Sequence, residues 1–335
     1  MAAAPAFYSI TIHPTYLHFQ PIYMGGKSAR SQAFIDNQKN LENNIQDGEM
    51  SKKARHRISN SINWMVLSAK SKRVWSKKAA KHFRFKVNFI TLTLPVSQGN
   101  YSDKWIKKEL FHAWMQYARV TWGVRNYIWK AETQDNGNIH FHITTDVFIH
   151  HKLLRHSWNR LLEKKGVMAG YISKHKAMSF EQYDTRYNPK DEYSPVGMLK
   201  RYVKGQNEGW SNPNSTDVRC VINVKNLAGY LAKYLAKDNP YRRRISGRLW
   251  GCNFELSEKR KVVYESAGVS DKELMWIEKN KAFKEIECEF GHLYVIKSSE
   301  LRKELPEGMS KLVEDRIFEI QNDVEMAPAI THILD

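Results

Sequence analysis

Two alternating runs separated by a cluster of turn-forming residues constrain this chain more than any other stretch. Over 125–132, Ile128, Lys130 and Glu132 fall on one side of an extended strand. Over 139–147, His140 and His142 share one side, and Ile139, Phe141 and Ile143 share the other. Gln134-Asp135-Asn136-Gly137-Asn138 lies between them and reads as a turn. The pair therefore predicts a β-hairpin, and with it an antiparallel sheet. Two histidines at i and i+2 point the same way, about 7 Å apart along the strand. That spacing lets two imidazoles converge on one ion, although histidines on a half-exposed strand are also common without one. The part played by Glu132 depends on the loop. A two-residue type I′ turn at Asn136-Gly137 would pair Glu132 with Phe141 and face it away from the histidines. A three-residue loop, Asp135-Asn136-Gly137 with Gly137 in the left-handed region, would pair Glu132 directly with His140. A set of Glu132, His140 and His142 suits Mg²⁺ or Mn²⁺, and its mixed nitrogen and oxygen donors tilt slightly towards Mn²⁺.

The neighbouring segments are compatible with such a sheet. Residues 87–95 alternate and end in proline, with Phe89, Thr91 and Thr93 on one face and Ile90, Leu92 and Leu94 on the other. Residues 103–118 place Ile106, Leu110, Trp114 and Tyr117 on one helical face, and 151–165 do the same with Leu154, Trp158 and Leu161. The stretch 170–217 shows little periodicity and reads as a loop-rich insertion able to shape a DNA channel. An alternating run over 218–224 leads into 226–237, NLAGYLAKYLAK, which reads as a helix stopped by Asp238-Asn239-Pro240. On it Leu227, Leu231 and Leu235 form an apolar stripe beside Tyr230 and Tyr234, one turn apart, with Lys233 and Lys237 bordering the tyrosines. The same spacing serves an ordinary core-facing helix. Alternatively, it presents two phenols, flanked by ammonium groups, to a phosphate.

Charge narrows the partner. Lys and Arg number 53 against 35 Asp and Glu, a net charge of +18, which points to a polyanion and to nucleic acid before membrane. Over 51–86 every charged residue is basic, and Ile58, Ile62, Met65 and Val66 keep helical spacing. This predicts a basic amphipathic helix in which Lys52, Lys53, Arg55 and Arg57 displace phosphate counterions, while Trp64 and Trp75 are available for stacking. Arg242, Arg243 and Arg244 extend the same character after the tyrosines. Cys220, Cys252 and Cys288 fit neither a disulfide framework nor a zinc pattern, which favours a reducing cytoplasm. Residues 1–26 carry no charged side chain but are broken by prolines and histidines, unlike a signal peptide or a membrane span. The expected organisation is α+β, a central antiparallel sheet flanked by helices. An N-terminal arm and basic helical region would fill 1–85, the catalytic domain 86–256, and a mixed accessory region 257–335.

FITLTLP, HFH and YLAKYLAK stand in that order. Together they resemble the HUH endonuclease superfamily, and within it the two-tyrosine rolling-circle replication initiators of single-stranded DNA phages and plasmids. The resemblance covers roughly 86–256. It implies that His140 and His142 bind a divalent metal with a third ligand that varies in the family, here Glu132. It implies that Tyr230 and Tyr234 nick and rejoin DNA by transesterification, with Lys233 and Lys237 assisting. The partners it implies are single-stranded or locally melted origin DNA, a host helicase and a DNA polymerase, without a membrane. A two-tyrosine transposase or a plasmid relaxase would share the chemistry, but the chain shows no zinc-finger cysteine pattern and no helicase P-loop. A non-enzymatic DNA-binding protein would share only the charge.

Overall fold

In this computed structural model the residues described are 7–22, 50–76, 80–99, 101–184, 195–221, 243–257, 261–266, 272–288 and 291–322. In chain order the strands are β1 Phe7–His13, β2 Tyr16–Ile22, β3 Lys72–Ser76, β4 Lys81–Phe85, β5 Val87–Leu92 and β6 Tyr127–Thr133. They continue as β7 Ile139–Thr145, β8 Thr216–Val221, β9 Trp250–Cys252, β10 Val262–Glu265, β11 Lys284–Cys288 and β12 Gly291–Val295. Helices are α1 Lys52–Ser68, α2 over 103–122, α3 His151–Lys164, α4 Ala169–Lys176 and α5 Phe180–Asp184. They continue as α6 Pro195–Asn207, α7 Lys272–Lys279, α8 Leu301–Glu304 and α9 Glu307–Asn322. The chain is α+β with antiparallel sheets.

The histidine strand is central. One five-stranded sheet has the order β8-β5-β7-β6-β9, so β7 is hydrogen-bonded on both edges. Alternation then gives its two faces separate work. Ile90, Leu92, Trp129, Ala131, Ile139, Phe141 and Ile143 point into one core, covered by Ile106, Leu110, Phe111 and Trp114 of α2 and Leu154, Trp158 and Leu162 of α3. Each such side chain contributes about 1.5–3 kcal/mol on leaving water. The opposite face carries the polar set. Helix α2 contains a π-helical stretch, Ile106–His112, between α-helical turns. Its wider i→i+5 turn takes up an extra residue and slides the buried stripe by one position. Ala118 is therefore buried where the sequence spacing pointed to Tyr117, which is 47 % exposed.

A second core joins the two ends of the chain. The other five-stranded sheet has the order β10-β1-β2-β12-β11. Its Ile10, Ile12, Leu17, Phe19 and Tyr294 pack with Ile58, Ile62 and Met65 of α1 and with Met309, Val313 and Ile317 of α9. Ile128 and Val87 of the central sheet reach the same core, with Phe89 packed against it. Helix α1 begins at Ser51, whose side chain accepts from the Ala54 amide at 3.1 Å, the usual N-cap bond. Gln321 of α9 donates to the Ser68 carbonyl at 2.6 Å and ties the two helices at the other end.

Three expectations need correcting. The basic run is not one helix: α1 stops at Ser68, and 72–76 pair with 81–85 as the β3–β4 ribbon, a separate two-stranded sheet. Aromatic and branched residues at Val74, Trp75, Phe83 and Phe85 mark these strands, and the uniform basic charge hides the change of period. The N-terminal region is not helical from its start, because β1 and β2 precede α1, and β1 pairs with β10 while β2 pairs with β12. Thus the terminal regions, read as separate, share one sheet. Finally, 170–217 is not mainly loop, because α4, α5 and α6 fill much of its described part. An aromatic cluster holds them. The Trp210 ring packs on His175, with centroids 4.8 Å apart, and on the backbone of Gly205, where an added Cβ would meet the indole at 2.4 Å.

Acid sensitivity is built into the second core. Burial, followed by the charges of His56, His18 and Lys261, pushes His13 down to about 4. The unfolded chain therefore binds a proton that the folded chain refuses as pH falls below about 6.5. Stability is complete above that value and declines towards pH 4, by up to about 3 kcal/mol from this residue. His13→Phe, which keeps a ring beside Tyr16, should flatten the fall in melting temperature between pH 6.5 and 4. An unchanged slope would remove His13 as its source.

Candidate functional site

The β6–β7 loop decides whether Glu132 belongs to the histidine pair. Gln134 donates its amide to the Asn138 carbonyl at 2.8 Å, and Gly137 donates to the Gln134 carbonyl at 2.9 Å. Gly137 has φ +82°, in the region that favours glycine. Asp135-Asn136-Gly137 is thus the three-residue loop with its left-handed third residue. Glu132 lies directly opposite His140, and Lys130 opposite His142. The type I′ alternative is excluded by this register.

The three side chains converge. Glu132, His140 and His142 each offer one ligand atom, and these atoms lie within 4.8 Å of one another. One carboxylate oxygen, Oε2 of Glu132, is 3.6 Å from Nε2 of His140 and 3.5 Å from Nε2 of His142. The other, Oε1, accepts from Nζ of Lys130 at 2.6 Å. Lys130 is only 2 % exposed, so this is a buried ion pair. His142 is fixed from behind: its Nδ1 is 3.1 Å from the Thr91 hydroxyl, and its ring stacks on Phe89 with centroids 5.2 Å apart. Such support behind a ligand orients the ring and leaves Nε2 facing inward.

Electrostatics keep the group ready to coordinate. Burial alone would raise the Glu132 carboxyl, but the two imidazoles and the Lys130 ammonium outweigh it and hold the group far below the usual carboxylate range. Burial lowers His142, against the pull of Glu132, with His140 and Lys130 pushing the same way as burial. The carboxylate is ionised and His142 carries a lone pair at neutral pH, the states that metal ligation needs. Both ring nitrogens of His140 are buried and have no hydrogen-bond partner among the described residues. An orphaned buried imidazole beside a carboxylate fits a divalent cation with oxygen and nitrogen donors.

The remaining site residues divide. Tyr230, Tyr234, Lys233, Lys237 and Arg242 lie outside the described residues. Lys52, Lys53, Arg55 and Arg57 lie on the first turns of α1, with Lys52, Lys53, Arg55 and Arg57 all turned at least partly to solvent. Arg243 does not simply face solvent. Its guanidinium grips Asp103 with bonds of 2.8 and 2.9 Å, and its Nε donates to the Gly137 carbonyl at 3.0 Å. Thr133 adds a bond from its hydroxyl to the Arg243 carbonyl at 2.5 Å. Arg243 is thus an anchor on the hairpin loop, while Arg244 is exposed. Sequence reasoning missed Lys130 and Thr91 as supports. Both were placed on the metal-facing side, but only the register shows which ligand each one touches.

The buried pair makes a stability prediction. Glu132→Ala leaves the Lys130 ammonium buried without that carboxylate, which costs about 3–5 kcal/mol. Adding Lys130→Met should recover most of the loss in urea unfolding. A double variant as unstable as Glu132→Ala would disprove the pair's role.

Residues 87–239 match a family model described as replication-associated protein ORF2. No curated protein and no solved structure matches the chain. The matched segment begins at β5, contains all three members of the metal group and runs through Tyr230 and Tyr234. The metal-bearing segment of this chain is therefore similar to a replication-associated protein.

Proposed function

We propose that the chain initiates rolling-circle DNA replication by metal-dependent nicking and joining of origin DNA through tyrosine. The observation that carries this reading is the convergence of Glu132, His140 and His142 inside a segment similar to a replication-associated protein. YLAKYLAK follows in the same matched segment. The chain leaves the described residues at Val221, opposite Val87 on β5, and re-enters at Arg243 beside the β6–β7 loop. The tyrosine-bearing stretch therefore connects the two ends of the metal-bearing sheet.

Glu132, His140 and His142 would hold Mg²⁺ or Mn²⁺. When bound, the cation supplies polarisation of the scissile phosphate and stabilises charge on its oxygens. Tyr230 or Tyr234 provides the nucleophile. A phenol has a pKa of about 10, so it gives up its proton as it attacks, and Lys233 or Lys237 orients the oxygen and favours the anion. The tyrosine oxygen forms a bond to phosphorus, the bond to the 3′ oxygen breaks, and that oxygen takes up a proton. The products are a 5′-phosphotyrosine and a free 3′-OH from which a polymerase extends. Joining reverses these steps, and the second tyrosine permits a second cut. No ATP is needed, because the phosphotyrosine conserves the phosphodiester energy. The +18 charge suits an origin DNA partner, and among the described residues no helix is long and apolar enough to cross a membrane.

Incubation with single-stranded origin DNA and Mn²⁺ should give a denaturation-resistant protein–DNA adduct mapping to Tyr230 or Tyr234. Tyr230→Phe with Tyr234→Phe should abolish it. Mn²⁺ at a hundredfold excess over its Kd should stabilise the chain by about 2.7 kcal/mol, and should not stabilise a His140→Ala, His142→Ala variant. Cleavage without an adduct would mean a water-using nuclease. Tight binding without cleavage would mean a DNA-binding module.

A further inference from the structure

The β3–β4 ribbon has two dissimilar faces. The side carrying Val74, Phe83 and Phe85 turns to the body of the protein. Phe85 is buried, with its ring centroid 5.7 Å from that of Phe148. Lys72, on the same side, donates to the Asp146 carbonyl at 2.5 Å. The opposite side carries Arg73 directly across from Arg84 and Trp75 directly across from His82, all four exposed. The Trp75 indole is 51 % exposed and meets the His82 ring edge-on, with centroids 4.9 Å apart.

A packed scaffold has little use for this arrangement. Like charges directly opposite on neighbouring strands repel, and no acidic residue occurs anywhere over 51–86 to offset them. An anion placed between the guanidiniums removes the repulsion. An exposed indole beside them offers an aromatic face at the same surface. A phosphate next to an unstacked base has both complements, whereas a duplex keeps its bases stacked inside and would leave the indole unused. The ribbon joins β5 through Lys86, and Val87 is about 13 Å along that strand from Thr91, which touches His142. A strand leaving the metal group reaches the ribbon within a few nucleotides.

We propose that the outer face of the β3–β4 ribbon is a binding site for single-stranded DNA, with Arg73 and Arg84 on adjacent phosphates and Trp75 beneath a base. The site extends the reading of a DNA-processing chain, yet it makes no use of the metal group or the tyrosines.

The test uses the full chain, without metal, and fluorescence anisotropy with a labelled single strand and a matching duplex. Arg73→Ala with Arg84→Ala should reduce the slope of log affinity against log salt by about 1.4 for the single strand, the value for two phosphates. Trp75→Ala should weaken single-strand binding about 5- to 100-fold. Arg84→Glu should weaken binding while raising the melting temperature, since it replaces a cross-strand repulsion with an ion pair. All the variants should keep the stabilisation by Mn²⁺, which separates failure of the ribbon from failure of the metal site. Unchanged affinity and slope would overturn the proposal, and so would a loss confined to the duplex. Weaker binding accompanied by a lower melting temperature in Arg84→Glu would assign the ribbon a structural role instead.

Discussion

The register of Glu132 against His140 is the constraint on which the site depends, and three residues set it. In an antiparallel pair, a slip of one residue moves every side chain of a strand to the other face. Gly137 at φ +82° closes Asp135-Asn136-Gly137 as a three-residue loop, and so Glu132 faces the histidines. A two-residue turn would have turned Glu132 to the core side and brought Ala131 and Trp129 to the metal side. The alternation of β6 forbids that exchange as firmly as the loop does: Trp129 and Ala131 are needed against Phe111 and Phe141. Loop chemistry and core packing agree on one register. Arg243 adds a third restraint by donating to the Gly137 carbonyl from a guanidinium already paired with Asp103.

The metal group is held from both cores. Behind β7, Phe141 stacks on Phe111 with centroids 4.3 Å apart, which fixes the strand between the two ligand positions. In front, Phe89 stacks on His142 and also packs against the second core, so the ring carrying one ligand leans on a wall built by both ends of the chain. The paired termini therefore bear on the site although they contribute no ligand. Lys130 supplies the remaining control. A fully buried carboxylate would tend to take up a proton, whereas beside an ammonium at 2.6 Å it stays ionised. The same pair leaves Oε2 for the histidines and any cation they hold.

Much of the site was legible because it is local. Strand alternation over 87–92, 127–133 and 139–145 placed Thr91, Lys130, Glu132, His140 and His142 on one face, and Asn136-Gly137 narrowed the loop to two geometries. The choice between them was not local, since it depended on which side of β6 the helices cover. The second sheet was not legible for the same reason. FYSITIH and YLHFQPI alternate, but their partners β10 and β12 lie near the other end of the chain, and pairing over such separation leaves no trace in local period. The ribbon escaped for another reason: hydrophobic period is hard to see where every charged residue is basic. In α2 the π-helical turn shifted burial from Tyr117 to Ala118, a change that a fixed helical period cannot anticipate.

Charge ties these parts together. With an excess of 18 cations the chain repels itself, and a fold normally spreads such charge or pairs it. Here the acidic groups near the site are already committed: Asp103 to Arg243, Glu109 to Lys165, and Glu132 to Lys130 and the histidines. Each pairing serves a position in the central sheet or its helices, and leaves the basic surface of α1 and the ribbon uncompensated. That surface is continuous in sequence with β5, whose Thr91 supports a metal ligand. A polyanion held along it lowers the repulsive energy of the folded chain as it approaches the metal group. Binding and positioning then draw on the same electrostatic source.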